Sequence, residues 1–176
     1  MNTRYTSAAI KDGGYTGYGH AGSRNQEARY ISVTEVGKNL REALKEKYPE
    51  CKFSITGHKY SMGQSITISL MSAPYEVFNK PDGDIAGLRH GHINWSVEEI
   101  LKIWQDIVDK GHEQVNHFYI KDSYILTDKA KEIMEFVKKE ANSYNYDDSD
   151  GMIDYFQTNF YLNLHIGKWY KPFIKI

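Results

Sequence analysis

The chain contains a single cysteine, Cys51, among 176 residues. No intrachain disulfide can form, and a reducing compartment is the simple expectation. Nothing beside Cys51 in the sequence would activate it, so it is a poor nucleophile. No window approaches the roughly 18 consecutive apolar residues of a membrane helix, and the N-terminus lacks the apolar core of a signal peptide. The expectation is a soluble, cytoplasmic protein with no membrane partner. Net charge is small as well: the formal value is −1, which argues against the large basic face of a dedicated duplex-binding protein. There is no Ser-His-Asp order, Walker loop or nucleophile elbow, so the residues do not indicate catalysis. No internal repeat or linker divides the chain, and its length suits one domain.

Tyrosine, by contrast, is abundant at 14 residues, and it joins apolar area to a polar tip as contact surfaces do. Residues 1–31 hold five glycines between Gly13 and Gly22 and show no sustained apolar period. They read as an irregular Gly/Tyr-rich arm, with residues 32–176 as the domain. The arm is positive on balance, with Arg4, Lys11, Arg24 and Arg29 against Asp12 and Glu27. Its "GGYTGYGHAG" lacks a preceding strand and a following helix, and so fails as a dinucleotide fingerprint.

Three helices are legible. Ser32 and Glu35 make a capping box ahead of Val36, Leu40 and Leu44, and that helix should end near Tyr48. Ser96 and Glu99 make another, ahead of a stripe of Val97, Ile100, Leu101, Trp104, Ile107 and Val108 that Gly111 closes. A third helix follows Thr127, with Ala130, Ile133, Met134, Val137 and Ala141 facing inward. Between the first two lies "KFSITGHKYSMGQSITISL", two alternating runs joined by a loop that carries His58, Lys59, Tyr60 and two glycines. Further strands are expected at "QVNHFYI" and "TNFYLNLHIG".

Side chains alternate across a strand, so each strand sorts into two faces. Phe53 and Ile55 fall together, as do Ile66, Ile68 and Leu70, then Phe118 and Ile120, then Phe160, Leu162, Leu164 and Ile166. These stripes predict a two-layer α+β domain, three helices on one face of a mainly antiparallel sheet of about four strands. The opposite face would show Ser54, Thr56, Ser65, Thr67, Ser69, His117, Tyr119, Tyr161, Asn163 and His165. It is either an ordinary solvated face, since threonine and tyrosine favour strands, or a surface that stacks and hydrogen-bonds a partner or a single strand of nucleic acid.

Metal ligation finds little support. His90 and His92 in "RHGH" lack a third ligand at a recognisable spacing, and His112 and His117 are no better placed. In "NYDDSDGMID", setting Gly151 at the glycine of a calcium loop puts Tyr146 and Gln157 where carboxylates belong, which rejects an EF-hand. Asp147, Asp148, Asp150 and Asp154 leave three readings open. They are a solvated acidic loop, part of a divalent-metal nuclease site, or, with Tyr144, Tyr146 and Tyr155, an acidic patch that imitates a nucleic-acid backbone in a partner's basic channel.

Tyr30-Ile31-Ser32, Pro49, Lys52-Phe53-Ser54, Tyr60-Ser61, Gly63 and Ser65-Ile66 follow one pattern: a "YIS" helix start, a "KFS" strand and a Ser/Gly-rich hairpin. On these motifs the chain resembles the large polyvalent protein-associated domain 29 family over residues 29–75, and "DSDGMIDYFQTNFYLNLHIG" looks like the family's C-terminal stretch over 147–167. The resemblance carries over no catalytic residues. It implies a phage or conjugative-element setting within a bacterial host, among proteins suspected of protecting incoming DNA. By analogy it suggests counter-defence, of which anti-CRISPR proteins are the best-populated class. The leading expectation is therefore a cofactor-free inhibitor that binds a host defence protein or ribonucleoprotein, above all a CRISPR effector nuclease or its guide-RNA complex, through the acidic tyrosine-flanked loop. The alternatives are a metal-dependent nuclease acting on guide RNA or other nucleic acid, and a nucleic-acid-binding accessory protein using His58, Lys59, Tyr60, Tyr119, Tyr161 and His165.

Overall fold

The computed structural model describes residues 20–81, 96–149 and 157–176. Helix α1 spans Val33–Lys47, α2 Val97–Lys110 and α3 Asp128–Asn142. Capping chemistry sets each start. The Ser32 hydroxyl accepts the Thr34 N–H rather than that of Glu35, Ser96 and Glu99 close a complete capping box, and the Thr127 hydroxyl accepts the Ala130 N–H.

A two-residue strand β1 (His20–Ala21) pairs with β5 (Tyr146–Asp147) as a small ribbon. The main sheet comprises β2 (Lys52–Tyr60), β3 (Gly63–Ala73), β4 (Glu113–Val115), β6 (Tyr161–Ile166) and β7 (Ile174–Lys175). Its order is β2-β3-β6-β4, with β7 pairing β3 beyond the end of β6. The α+β class is as expected, but the sheet is mixed. β2 and β4 run antiparallel to their neighbours, whereas β6 and β7 run parallel to β3. Parallel pairing needs a long crossover, and α2, β4 and α3 all lie between β3 and β6.

One sheet face carries the core. Ile55, Ile66, Ile68, Leu70, Leu162, Leu164 and Ile166 are buried against Val33, Val36, Leu40 and Leu44 of α1 and Ile133, Met134 and Val137 of α3. Each such side chain contributes about 1.5–3 kcal/mol by leaving water. Gly57 lets α1 approach closely, since a Cβ there would stand 2.8 Å from a Val33 methyl. Helix α2 builds a separate cluster: Ile100 and Trp104 pack with Tyr124 and Ile125, and the Trp104 indole N–H donates to the Asn79 carbonyl at 2.9 Å.

Two elements depart from the sequence reading. Strand β4 stops at Val115, because the Asn116 side chain accepts the Phe118 N–H at 3.0 Å and turns the chain away. Phe118, expected in the core, is therefore exposed, while Ile120 is buried. The other departure is the hairpin. β2 and β3 continue to Tyr60 and Gly63, leaving only Ser61 and Met62 as the turn. His58, Lys59 and Tyr60 are strand residues, not loop residues.

From Gly22 onward the glycine-rich arm is fastened to the domain. The Gly22 and Arg24 N–H groups donate to the carbonyls of Asn145 and Ser143. Buried Gln64 accepts from Tyr30 Oη (2.8 Å) and Val33 N (3.0 Å) and donates to the Ile31 carbonyl (2.6 Å). Asn159 Oδ1 accepts the Ile31 N–H, and Asn159 Nδ2 donates to the Tyr144 carbonyl. Two buried amides thus join the entry of α1 to β3 and to the approach of β6.

Candidate nucleic-acid interface

Strand parity places a second, polar face opposite the core. Across the ladder Ser54 faces Ser69, Thr56 faces Thr67 and His58 faces Ser65. On the other side of β3, Ser65 faces Tyr161, Thr67 faces Asn163 and Ser69 faces His165. No carboxylate stands at these positions. Tyr60 and Tyr161 are about half exposed at the hairpin end. Burial and the nearby Tyr161 raise the pKa of the Tyr60 hydroxyl.

The other end of this face is closed by a loop. The chain leaves the β6 lane at Gly167 and returns to it as β7. Between them Lys168 N–H donates to the Lys171 carbonyl at 2.8 Å and Lys171 N–H returns the bond at 2.9 Å, which leaves Trp169 and Tyr170 at the tip. Trp169 is 81% exposed and meets Tyr170 edge-on at 5.4 Å. At the base, Gly167 N–H donates to the Leu70 carbonyl and Phe173 N–H to the Gly111 carbonyl, each at 2.8 Å. Gly111, which ends α2 at φ 58°, also delivers His112 to the site, where its ring stacks on His165 at 5.6 Å and 10°.

These parts border an open hollow of about 360 Å³. Thr56, Thr67 and Ser69 come from the sheet, His112 and His165 form one side, and Lys168, Trp169 and Tyr170 of the loop form another. His58 also lines it, and Lys168 is the one formally charged member among the described residues. The Ser69 hydroxyl is fully buried and has no hydrogen-bond partner among the described residues; Ser72, further along β3, shares this condition outside the hollow. An orphaned buried hydroxyl costs about 1–3 kcal/mol.

Burial holds the His165 imidazole below its ordinary 6.5, and His112 and Lys168 add to the shift. The fold thus favours neutral His165. Between the ordinary and the depressed value, the unfolded chain binds a proton that the folded chain refuses. Stability is therefore full above about pH 6.5 and falls with acid through that window. His117, lowered by burial, acts in the same sense, while Glu113, raised by burial, acts oppositely at lower pH. Comparison with a variant isolates the His165 share. His165→Gln should lose less thermal stability than the native chain between about pH 7 and about pH 5.5, and identical Tm slopes would refute this account.

Of the nucleic-acid candidates, His58, Tyr60, Tyr161 and His165 share the polar face. Lys59 alternates onto the helix side, and Tyr119 lies in the turn beyond β4. The acidic candidates do not form a displayed patch among the described residues. Asp147 is exposed, but Asp148 is 1% exposed and its N–H is tied to the Gln157 carbonyl at 2.7 Å. Tyr146 is buried with Ala21 and Ala28, and Tyr144 receives Arg24 through a hydrogen bond and a cation–π contact. Asp150, Asp154 and Tyr155, like His90 and His92, lie outside the described residues. Among the described residues no three metal-ligating side chains gather, and no helix is long and apolar enough to cross a membrane. Cys51 is buried and its thiol pKa is pushed up to about 11 by that burial.

Sequence reasoning missed the loop and His112. The available signal was "GKWYKP", a Gly/Pro-bounded turn carrying adjacent aromatics between lysines.

The family model described as large polyvalent protein associated domain 29 matches residues 31–129, more than half of the chain. The match takes in α1, the β2–β3 hairpin, α2 and β4, and ends before residues 147–167, where a further likeness was expected. It includes the floor of the hollow and His112 but not the 167–173 loop. No curated protein and no solved structure matches the chain significantly.

Proposed function

Because the chain belongs to the large polyvalent protein associated domain 29 family, we propose that it is a mobile-element accessory factor that binds single-stranded nucleic acid through the polar face of its sheet. The observation that carries this reading is the makeup of that face, with hydroxyls between exposed aromatic rings and, among the described residues, no carboxylate lining the hollow. Unpaired bases offer flat apolar rings with hydrogen-bonding edges, and stacking on an aromatic side chain contributes about 1–3 kcal/mol per base. Tyr161 and His165 are four residues apart on β6, about 13 Å at ~3.3 Å per residue, enough for more than one nucleotide.

In the cell, the role we assign to this binding is counter-defence, with the ligand being RNA exposed in a host ribonucleoprotein such as a CRISPR effector complex. We favour this mode of contact over an acidic mimic, for which the buried Asp148 carboxylate is poorly placed. Reversing its charge would report on folding before it reported on a partner.

Fluorescence anisotropy with labelled single-stranded RNA, single-stranded DNA and duplex, at rising salt, tests the reading. Single strands should bind more tightly than duplex, with a shallow salt slope, since each phosphate contact adds only about 0.7 to that slope and Lys168 is the one lining charge among the described residues. Preference for duplex with a steep slope would overturn it. So would metal-dependent cleavage of the RNA, abolished by chelator, because that result belongs to the nuclease alternative.

A further inference from the structure

We propose that the hollow between the sheet and the 167–173 loop is a mononucleotide pocket, which holds one unstacked base of the strand and the phosphate attached to it. The inference rests on the single-strand reading above and adds to it, because a flat stacking face needs no concavity and this end of the face has one. Its volume of about 360 Å³ lies in the range of small-molecule sites rather than packing defects.

The chemistry of the lining selects the ligand class. The hydroxyls of Thr56, Thr67, Ser69 and Tyr170 and the imidazoles of His58, His112 and His165 can each donate or accept, which suits the mixed edge of a nucleobase. The lack of a lining carboxylate among the described residues and the presence of Lys168 favour a phosphate beside it. Trp169, left almost wholly in water at the rim, supplies a ring for the base to lie on. The Ser69 hydroxyl is the independent observation. It is a fully buried polar group in the lining of the hollow without a partner among the described residues, and a base edge would satisfy it.

The pocket also separates two roles on one face. Tyr60 and Tyr161, at the hairpin end, touch only the neighbouring part of a bound strand. Trp169, Ser69 and Lys168 bind the nucleotide in the pocket, and they bind it equally well when it is free.

The test is calorimetric titration of the whole chain with the four ribonucleoside monophosphates, with the unphosphorylated nucleosides and with inorganic phosphate, beside a single-stranded oligonucleotide. Monophosphates should bind and should displace the oligonucleotide. Trp169→Ala should weaken both ligands about tenfold, whereas Tyr161→Ala should weaken the oligonucleotide alone. Ser69→Ala should weaken monophosphate binding while raising the denaturant midpoint, a pairing that a misfolded variant cannot produce. If the oligonucleotide binds and responds to Tyr161→Ala but monophosphates neither bind nor compete, the pocket is wrong and the single-strand reading stands. If phosphate alone binds as tightly as the monophosphates, the site takes anions and the base pocket is refuted. If neither the oligonucleotide nor the monophosphates bind, both proposals fall together.

Discussion

Replacing Gly167 by alanine is expected to cost about 3 kcal/mol of stability and to abolish the hollow as a formed site. Two physical effects combine. The residue sits at φ 62°, where a Cβ meets its own backbone and costs about 1–2 kcal/mol. That Cβ would also stand 2.3 Å from the Gly111 carbonyl oxygen and 2.6 Å from the Phe173 nitrogen. Both of these are backbone atoms, and they are bonded to each other in the link that holds the loop base. Neither can rotate away as a side chain would, so the loop has to lift. A matched control is Gly37→Ala in α1. There the new Cβ would make an ordinary 3.5 Å contact with an Ile55 methyl, and replacing a mid-helix glycine gains up to about 1 kcal/mol. Opposite shifts of the denaturant midpoint in the two variants would confirm the argument. A neutral Gly167→Ala would show that the loop is not pinned where Gly111 and Phe173 hold it.

That contrast also explains what the sequence made legible. Patterns confined to one element were readable. Ser96 with Glu99 is a local capping device, Ala130 through Ala141 repeat at helical spacing, and the Ile66-Ile68-Leu70 alternation sets a strand face whatever its neighbours do. Properties that belong to pairs of distant segments were not. The direction in which β6 lies beside β3 leaves no mark on either strand's alternation, so a mixed sheet reads like an antiparallel one. Asn116 ends β4 through a local turn, yet "QVNHFYI" still alternates beyond it, and so Phe118 was assigned to a core it never enters. Half of the candidate face followed from parity, which is why Tyr161 and His165 stood among the candidates. The hollow needed β2, β3, the segment after α2 and the 167–173 loop to converge. Its hinge is a Gly167–Gly111 contact between residues 56 positions apart in the sequence. The acidic cluster shows a related limit. Charge in a sequence is countable, but exposure is not, and Asp148 spends its position inside the fold.

The second large effect concerns binding. The double substitution Tyr161→Ala with Trp169→Ala should weaken single-stranded RNA by at least about 2 kcal/mol, or roughly 30-fold, with thermal stability within about 0.5 kcal/mol of the native chain. Both rings are exposed, at 50% and 81%, and neither belongs to the main hydrophobic core, so removing them takes little from folding. They belong to separate elements, Tyr161 to β6 and Trp169 to the 167–173 loop, and the two losses are expected to add. Lys168→Ala separates stacking from charge. It should flatten the salt slope by about 0.7 and leave the residual affinity at high salt close to native, where the aromatic double variant should lose affinity equally at every salt concentration. An aromatic variant that binds like the native chain would remove the polar face from contention, because no arrangement of its hydroxyls alone could hold a flexible strand against the entropy of ordering it.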